Sequence, residues 1–154
     1  MNSLLRNLLI AAILLATASP DVRAQSVQSI QRLEGIWIFR ALFPGQPQPV
    51  YTGTARFLAD GTFSGPPNDQ RSGPTVGDWT RTANREFAFT FVANTYDDAG
   101  NFRTTNRVRG MMTLGDDGLT ATGRTIVDIF DAAGHIVLSR TVTFIGTRVA
   151  VEAF

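Results

Sequence analysis

The feature that most constrains this chain is a two-residue rhythm of apolar side chains, since successive residues of a strand face opposite ways. From Arg85 to Tyr96, Phe87, Phe89 and Phe91 fall on one side while Glu86, Ala88 and Thr90 fall on the other. From Phe102 to Leu114, Phe102, Val108, Gly110 and Met112 oppose Arg103, Thr105, Arg107 and Arg109. From Leu119 to Phe130, Leu119, Ala121, Gly123, Val127 and Ile129 oppose Thr122, Arg124 and Asp128. No segment sustains the 3.6-residue apolar period of a helix.

Eight extended segments follow from this rhythm and its punctuation: Leu33 to Phe43, Val50 to Leu58, Thr62 to Ser64, Val76 to Thr82, Arg85 to Tyr96, Phe102 to Leu114, Leu119 to Phe130 and Ile136 to Val149. Ala59-Asp60-Gly61, the Asp97 to Asn101 stretch, Gly115 to Gly118 and Asp131 to Gly134 each join an acid that can bond its own backbone to a glycine. That chemistry makes hairpins. Pro44 to Pro49 and Gly65 to Pro74 are too rich in proline and glycine for a full ladder and read as longer loops. Sequential strands with one apolar face and hairpin connections predict an all-β fold, an eight-stranded antiparallel up-and-down barrel. Closure also removes exposed strand edges, and eight strands enclose either a packed core or room for one small ligand.

The chain's first residues read as a targeting signal, not as part of that fold. Arg6 supplies the positive start, Leu8 to Leu15 is an apolar run too short for a bilayer span, and Val22-Arg23-Ala24 forms the cleavage site. Ala16-Thr17-Ala18 is a second candidate site. Residues 1–24 are therefore expected to be removed, leaving a flexible N-terminal arm, 25–32, and a single barrel domain, 33–154. The expected product is periplasmic or secreted and soluble, cut near Ala24, with no cysteine to carry a lipid anchor and no stable membrane insertion.

The remaining length of about 130 residues suits one domain. Cleavage removes two arginines and one aspartate from 14 basic and 13 acidic residues, so the mature chain is neutral. Neutrality argues against nucleic acid, whose binding rests on a basic surface. Every basic residue other than His135 is an arginine, which excludes lysine Schiff-base chemistry. Without cysteine an exported fold depends on buried area alone, and all fifteen aromatic residues lie beyond the signal to supply it.

Leu33-Glu34-Gly35-Ile36-Trp37 at the first strand resembles the Gly-x-Trp signature of lipocalins and related calycin barrels, and Gly146-Thr147-Arg148 resembles their closing arginine. The stretch Phe57 to Phe63 followed by Gly77-Asp78-Trp79 is similar to small bacterial lipocalin-like proteins. The resemblance covers Leu33 to Arg148. It implies that Gly35, Trp37 and Arg148 close the barrel, with the guanidinium packed across the indole. The Thr-Asp-Tyr motif and C-terminal helix of typical lipocalins are missing.

Several residues invite a chemical reading and a plainer one. His135, the single histidine, follows a turn and has no second histidine, cysteine or Gly-x-Ser-x-Gly elbow to work with, so an exposed turn residue outweighs a catalytic or metal role. Asp97-Asp98 and Asp116-Asp117 match no calcium loop and belong to turns. Arg103, Arg107, Arg109 and Arg124 share an outer face with Glu86 and Asp128, which predicts a solvated charge lattice rather than an anion patch. No catalytic residue, metal site or cofactor is expected.

Inward-facing polar residues carry the functional expectation. By parity Asn106 and Thr104 point in with Val108, Arg140 with Leu138, Val142 and Phe144, and Tyr51 with Phe57. Such groups either fill the core by bonding one another or meet a ligand at the open mouth. The leading expectation is a barrel that binds a small, mostly apolar ligand, with Trp37, Phe57, Trp79, Phe89 and Phe144 as walls and Tyr51, Asn106 and Arg140 as polar contacts. Two rivals stand beside it. One is a cyclase or isomerase acting by pocket shape, like allene oxide cyclase and dirigent-type proteins. The other is an inhibitor-like barrel whose arm, Gln25 to Arg32, holds a protein partner.

Overall fold

The computed structural model describes residues 32–150 apart from 44, 47, 50, 68 and 69. The expected signal segment, 1–24, and, save Arg32, the expected arm, 25–32, lie outside these residues. The strands are β1 (Gly35–Leu42), β2 (Tyr51–Phe57), β3 (Thr62–Gly65), β4 (Thr75–Arg81), β5 (Glu86–Tyr96), β6 (Phe102–Leu114), β7 (Thr120–Phe130) and β8 (Ile136–Arg148). Each pairs antiparallel with its sequence neighbours, and β1 pairs with β8 to close the barrel.

The alternation sorts the faces as hydrophobicity requires. Phe87 is fully buried and Phe89 is 7% exposed, while their neighbours Glu86 and Thr90 are exposed. Four tight turns are held by their own acids. Asp60, Asp97, Asp117 and Asp131 each accept backbone N–H bonds from within two to four residues, as in Asn101 N to Asp97 Oδ1 at 2.8 Å and His135 N to Asp131 Oδ1 at 2.9 Å. The Thr62 hydroxyl and then its N–H lower the Asp60 carboxyl from its ordinary value, and backbone N–H bonds foremost lower those of Asp97, Asp117 and Asp131.

Parity fails at two places, both at one end of the barrel. Thr95 pairs with Thr104 but Tyr96 pairs with Phe102, so Arg103 is an extra residue; Ile129 pairs with Leu138 but Phe130 pairs with Ile136, so Val137 is another. Each is a bulge, and a bulge returns the next residue to the opposite face. Phe102, expected inside, therefore stands outside with Tyr96, 43% exposed, its ring edge-on to the tyrosine at 6.4 Å.

The two ends of the barrel differ. One end is solid, because Trp37, Phe87, Leu33, Met112 and Leu114 fill it, each at most 2% exposed. Leu33 belongs to the segment that crosses this end and not to β1, and its carbonyl accepts the Trp37 indole N–H at 2.8 Å. Arg148 lies over the Trp37 ring, 4.7 Å from guanidinium carbon to ring centroid. It donates to Gly118 O at 2.9 Å, Glu34 O at 2.6 Å and Arg32 O. One side chain thus ties the last strand, the β6–β7 turn and the entering segment. Gly35 sits beneath it with φ of 131° and a guanidinium nitrogen 3.2 Å from where a Cβ would stand, so both conformation and space call for glycine.

Candidate functional site: the open half of the barrel

Beyond this plug the interior opens into a cavity of about 250 Å³. Residue size explains why it begins where it does. In the closed half indoles, phenyl rings and long aliphatics fill the interior, packed over inward small residues such as Ala121 and Gly146; in the open half Ala41, Gly53, Ala93, Thr75 and Thr125 take inward positions on five strands with no such bulk above them. Small side chains around a ring of fixed circumference leave the centre unfilled.

The cavity floor and one wall are aromatic. Phe39 meets Phe144 edge-on at 5.5 Å and Phe57 meets Phe63 at 4.8 Å. Phe63, Phe89 and Phe91 lie nearly parallel, with interplanar angles of 13°, 13° and 8°. Glycines paired with these rings on the neighbouring strand make room for them: a Cβ on Gly110 would collide with Phe89, one on Gly123 with Phe144 and one on Gly146 with Phe39.

Polar groups on the lining are few. Thr125, buried, bonds Val142 O at 3.4 Å. Asn106 presents an amide whose buried Oδ1 has no hydrogen-bond partner. Arg140 lies at the mouth, exposed, with its guanidinium carbon 4.3 Å from the Phe43 ring centroid. Tyr51 lines the same space at the rim. Val127 on β7 pairs with Val108 on β6 and with Arg140 on β8, and the next inward residue, Ile129, pairs with Asn106. The amide and the guanidinium therefore flank β7 on either side.

The structure brings Tyr51, Phe57, Phe89, Asn106, Arg140 and Phe144 to one cavity. Trp79 and Trp37, expected as walls, do not line it. The Trp79 indole N–H reaches Leu58 O at 3.0 Å and its ring packs on Phe57 and Phe87, below the floor. An indole needs a partner for its N–H when buried, and the turn carbonyl at the closed end supplies it. Sequence reasoning passed over Phe39, Phe91, Val108, Val127 and Val142 as lining. The overlooked signal was the small inward residues, which mark where a barrel is hollow.

Other groups singled out from sequence take structural places. His135 is 79% exposed at its side chain and lies 3.5 Å from Asp131. Asp98 pairs with Arg71 at 2.6 Å and Asp116 with Arg85. Asp128 on the outer wall accepts from Arg107 at 3.1 Å, Arg109 at 2.8 Å and Ser139 at 2.7 Å, tying three strands. Covered by these donors it is 3% exposed, and the Ser139 hydroxyl and then the arginines hold its carboxyl low. Glu86, Arg103 and Arg124, expected in the same lattice, lie outside this cluster. Among the described residues no three His, Cys, Asp or Glu side chains gather as a metal site would need.

Compared with protein-family models, with curated proteins and with solved structures, the chain matches none of them. Fold and cavity therefore carry the functional reading by themselves, and what they establish is a closed eight-stranded antiparallel barrel, solid at one end and hollow at the other.

Proposed function

We propose that this protein is an exported, calycin-like barrel that binds a small, mostly apolar molecule in its open half. The observation that carries the reading is the aromatic-floored cavity of about 250 Å³, with an unpartnered Asn106 oxygen on its wall. A buried amide acceptor without a partner is costly, and a bound donor group would relieve that cost. The Gly35, Trp37 and Arg148 closure supports kinship with calycin barrels, and the apolar segment Leu8 to Leu15 supports export. Hydrophobic lining with a few placed polar groups is the usual form of a small-molecule site.

The cavity limits the size of the occupant. An apolar cavity of about 150 Å³ holds benzene, so about 250 Å³ holds roughly ten heavy atoms, a bicyclic ring system rather than a diacyl lipid. Titration of the mature chain with naphthalene-sized compounds, followed by amide NMR shifts, tests this. Shifts confined to residues such as Ala41, Gly53, Ala93 and Thr125 are expected. A panel of such compounds that moves no lining amide contradicts the reading.

A further inference from the structure

We propose that the occupant is an aromatic or conjugated carboxylic acid, its anionic group held at the mouth by Arg140 and its ring body packed against the stacked rings of Phe63, Phe89 and Phe91. This rests on the binding reading above and names the class of ligand.

Arg140 occupies an inward register position on a strand whose next inward residues are Val142 and Phe144, and it faces Val127 across the ladder. Apolar side chains would serve that position for packing alone. Its guanidinium rests on the Phe43 ring, a contact to the π face that uses none of its N–H donors. A fixed fork of this kind matches a carboxylate with two parallel hydrogen bonds.

The described acids of the open rim are committed elsewhere. Asp97 caps its own turn through Ala99 and Asn101, Asp131 does the same through Ala133 and His135, and Asp98 pairs with Arg71. Asp128 lies on the outer wall with Arg107 and Arg109. Among the described residues no carboxylate pairs with Arg140, so a permanent positive charge stands over an apolar cavity. The wall adds a preference for aromatic bodies, because Phe63, Phe89 and Phe91 already form a stack within 13° of parallel, and a further ring packed on its faces or edges gains an aromatic contact that a saturated, branched body does not.

Calorimetric titration with naphthoate and with naphthylmethanol tests the proposal, as these share a ten-carbon body of about the cavity's capacity and differ in charge. Naphthoate is expected to bind at least about tenfold more tightly, the ratio one charge-assisted hydrogen bond supplies. In Arg140→Gln that ratio should vanish while the alcohol's affinity stays. Ala93→Phe, which fills the cavity, should abolish both. Equal affinity of acid and alcohol, with Ala93→Phe abolishing both, overturns the charge requirement and leaves cavity binding intact. A ratio that survives Arg140→Gln overturns the role of that arginine. Binding of neither compound to the parent chain overturns this proposal and the cavity reading together.

Discussion

The two halves of the barrel are built from the same strands, yet one is a plug and the other a vessel. In the closed half the inward indoles and the closing arginine have partners: the Trp37 indole has Leu33 O, the Trp79 indole has Leu58 O, and Arg148 has three carbonyls and a ring. In the open half an amide oxygen lacks a partner and an arginine lies over a single ring. A fold that packs one end solidly can leave the other hollow, because the closed end supplies the buried area that stability requires. Incompleteness is then available for recognition.

Substitutions should separate the halves by the size of their effect on stability. Trp37→Ala removes the largest side chain of the plug and is expected to destabilise the barrel by about 3–5 kcal/mol, read as a lowered urea midpoint. Arg148→Ala strips donors from three carbonyls and uncovers the indole, for about 2–3 kcal/mol by the same measurement. If either variant kept the parent midpoint, the closed end would not be the anchor of the fold.

The open half should behave otherwise. Ala93→Phe places a ring in empty space, so its midpoint should lie within about 1 kcal/mol of the parent while binding is lost. A large loss of stability would mean the space is already filled. Arg140→Gln, on an exposed side chain, should move stability by no more than about 0.5 kcal/mol.

Acid treats the halves alike and so supplies the smallest contrast. Asp60 and Asp117 hold turns at the closed end, Asp97 and Asp131 at the open end, and all four titrate below the ordinary value of 3.8. A carboxyl held low in the folded chain adds stability above its unfolded pKa and loses it as pH falls through the folded value. Denaturation midpoints should therefore be flat from neutral pH down to about pH 5 and decline below 3.8, with loosening of both sets of turns in hydrogen exchange. Loss confined to one end would show that the turns are not equivalent.

The same contrast describes what could be read from sequence. Strand number, closure and the inward rows were legible because alternation and turn chemistry are local: Phe87 and Phe89 declare their face by their neighbours. Phe102 was misread because a bulge at Arg103 is set by pairing with β5, which no local pattern encodes. Trp79 was placed on the right face but at the wrong depth, since depth depends on strand tilt and on which carbonyl meets the indole. The hollow itself was written in Ala41, Gly53 and Ala93, whose inward parity leaves space rather than filling it. The fit of Gly110 to Phe89 and of Gly123 to Phe144 joins residues on different strands and emerges only in three dimensions.

A hollow half above a solid one is tested most directly by a crystal of residues 25–154 under xenon pressure, since xenon enters apolar cavities without needing hydrogen bonds. A xenon site is expected inside the barrel among Phe39, Phe89, Ala93 and Val127, and none among Trp37, Phe87 and Leu114. An interior with no xenon at all, or xenon beside Trp37 instead, would contradict it.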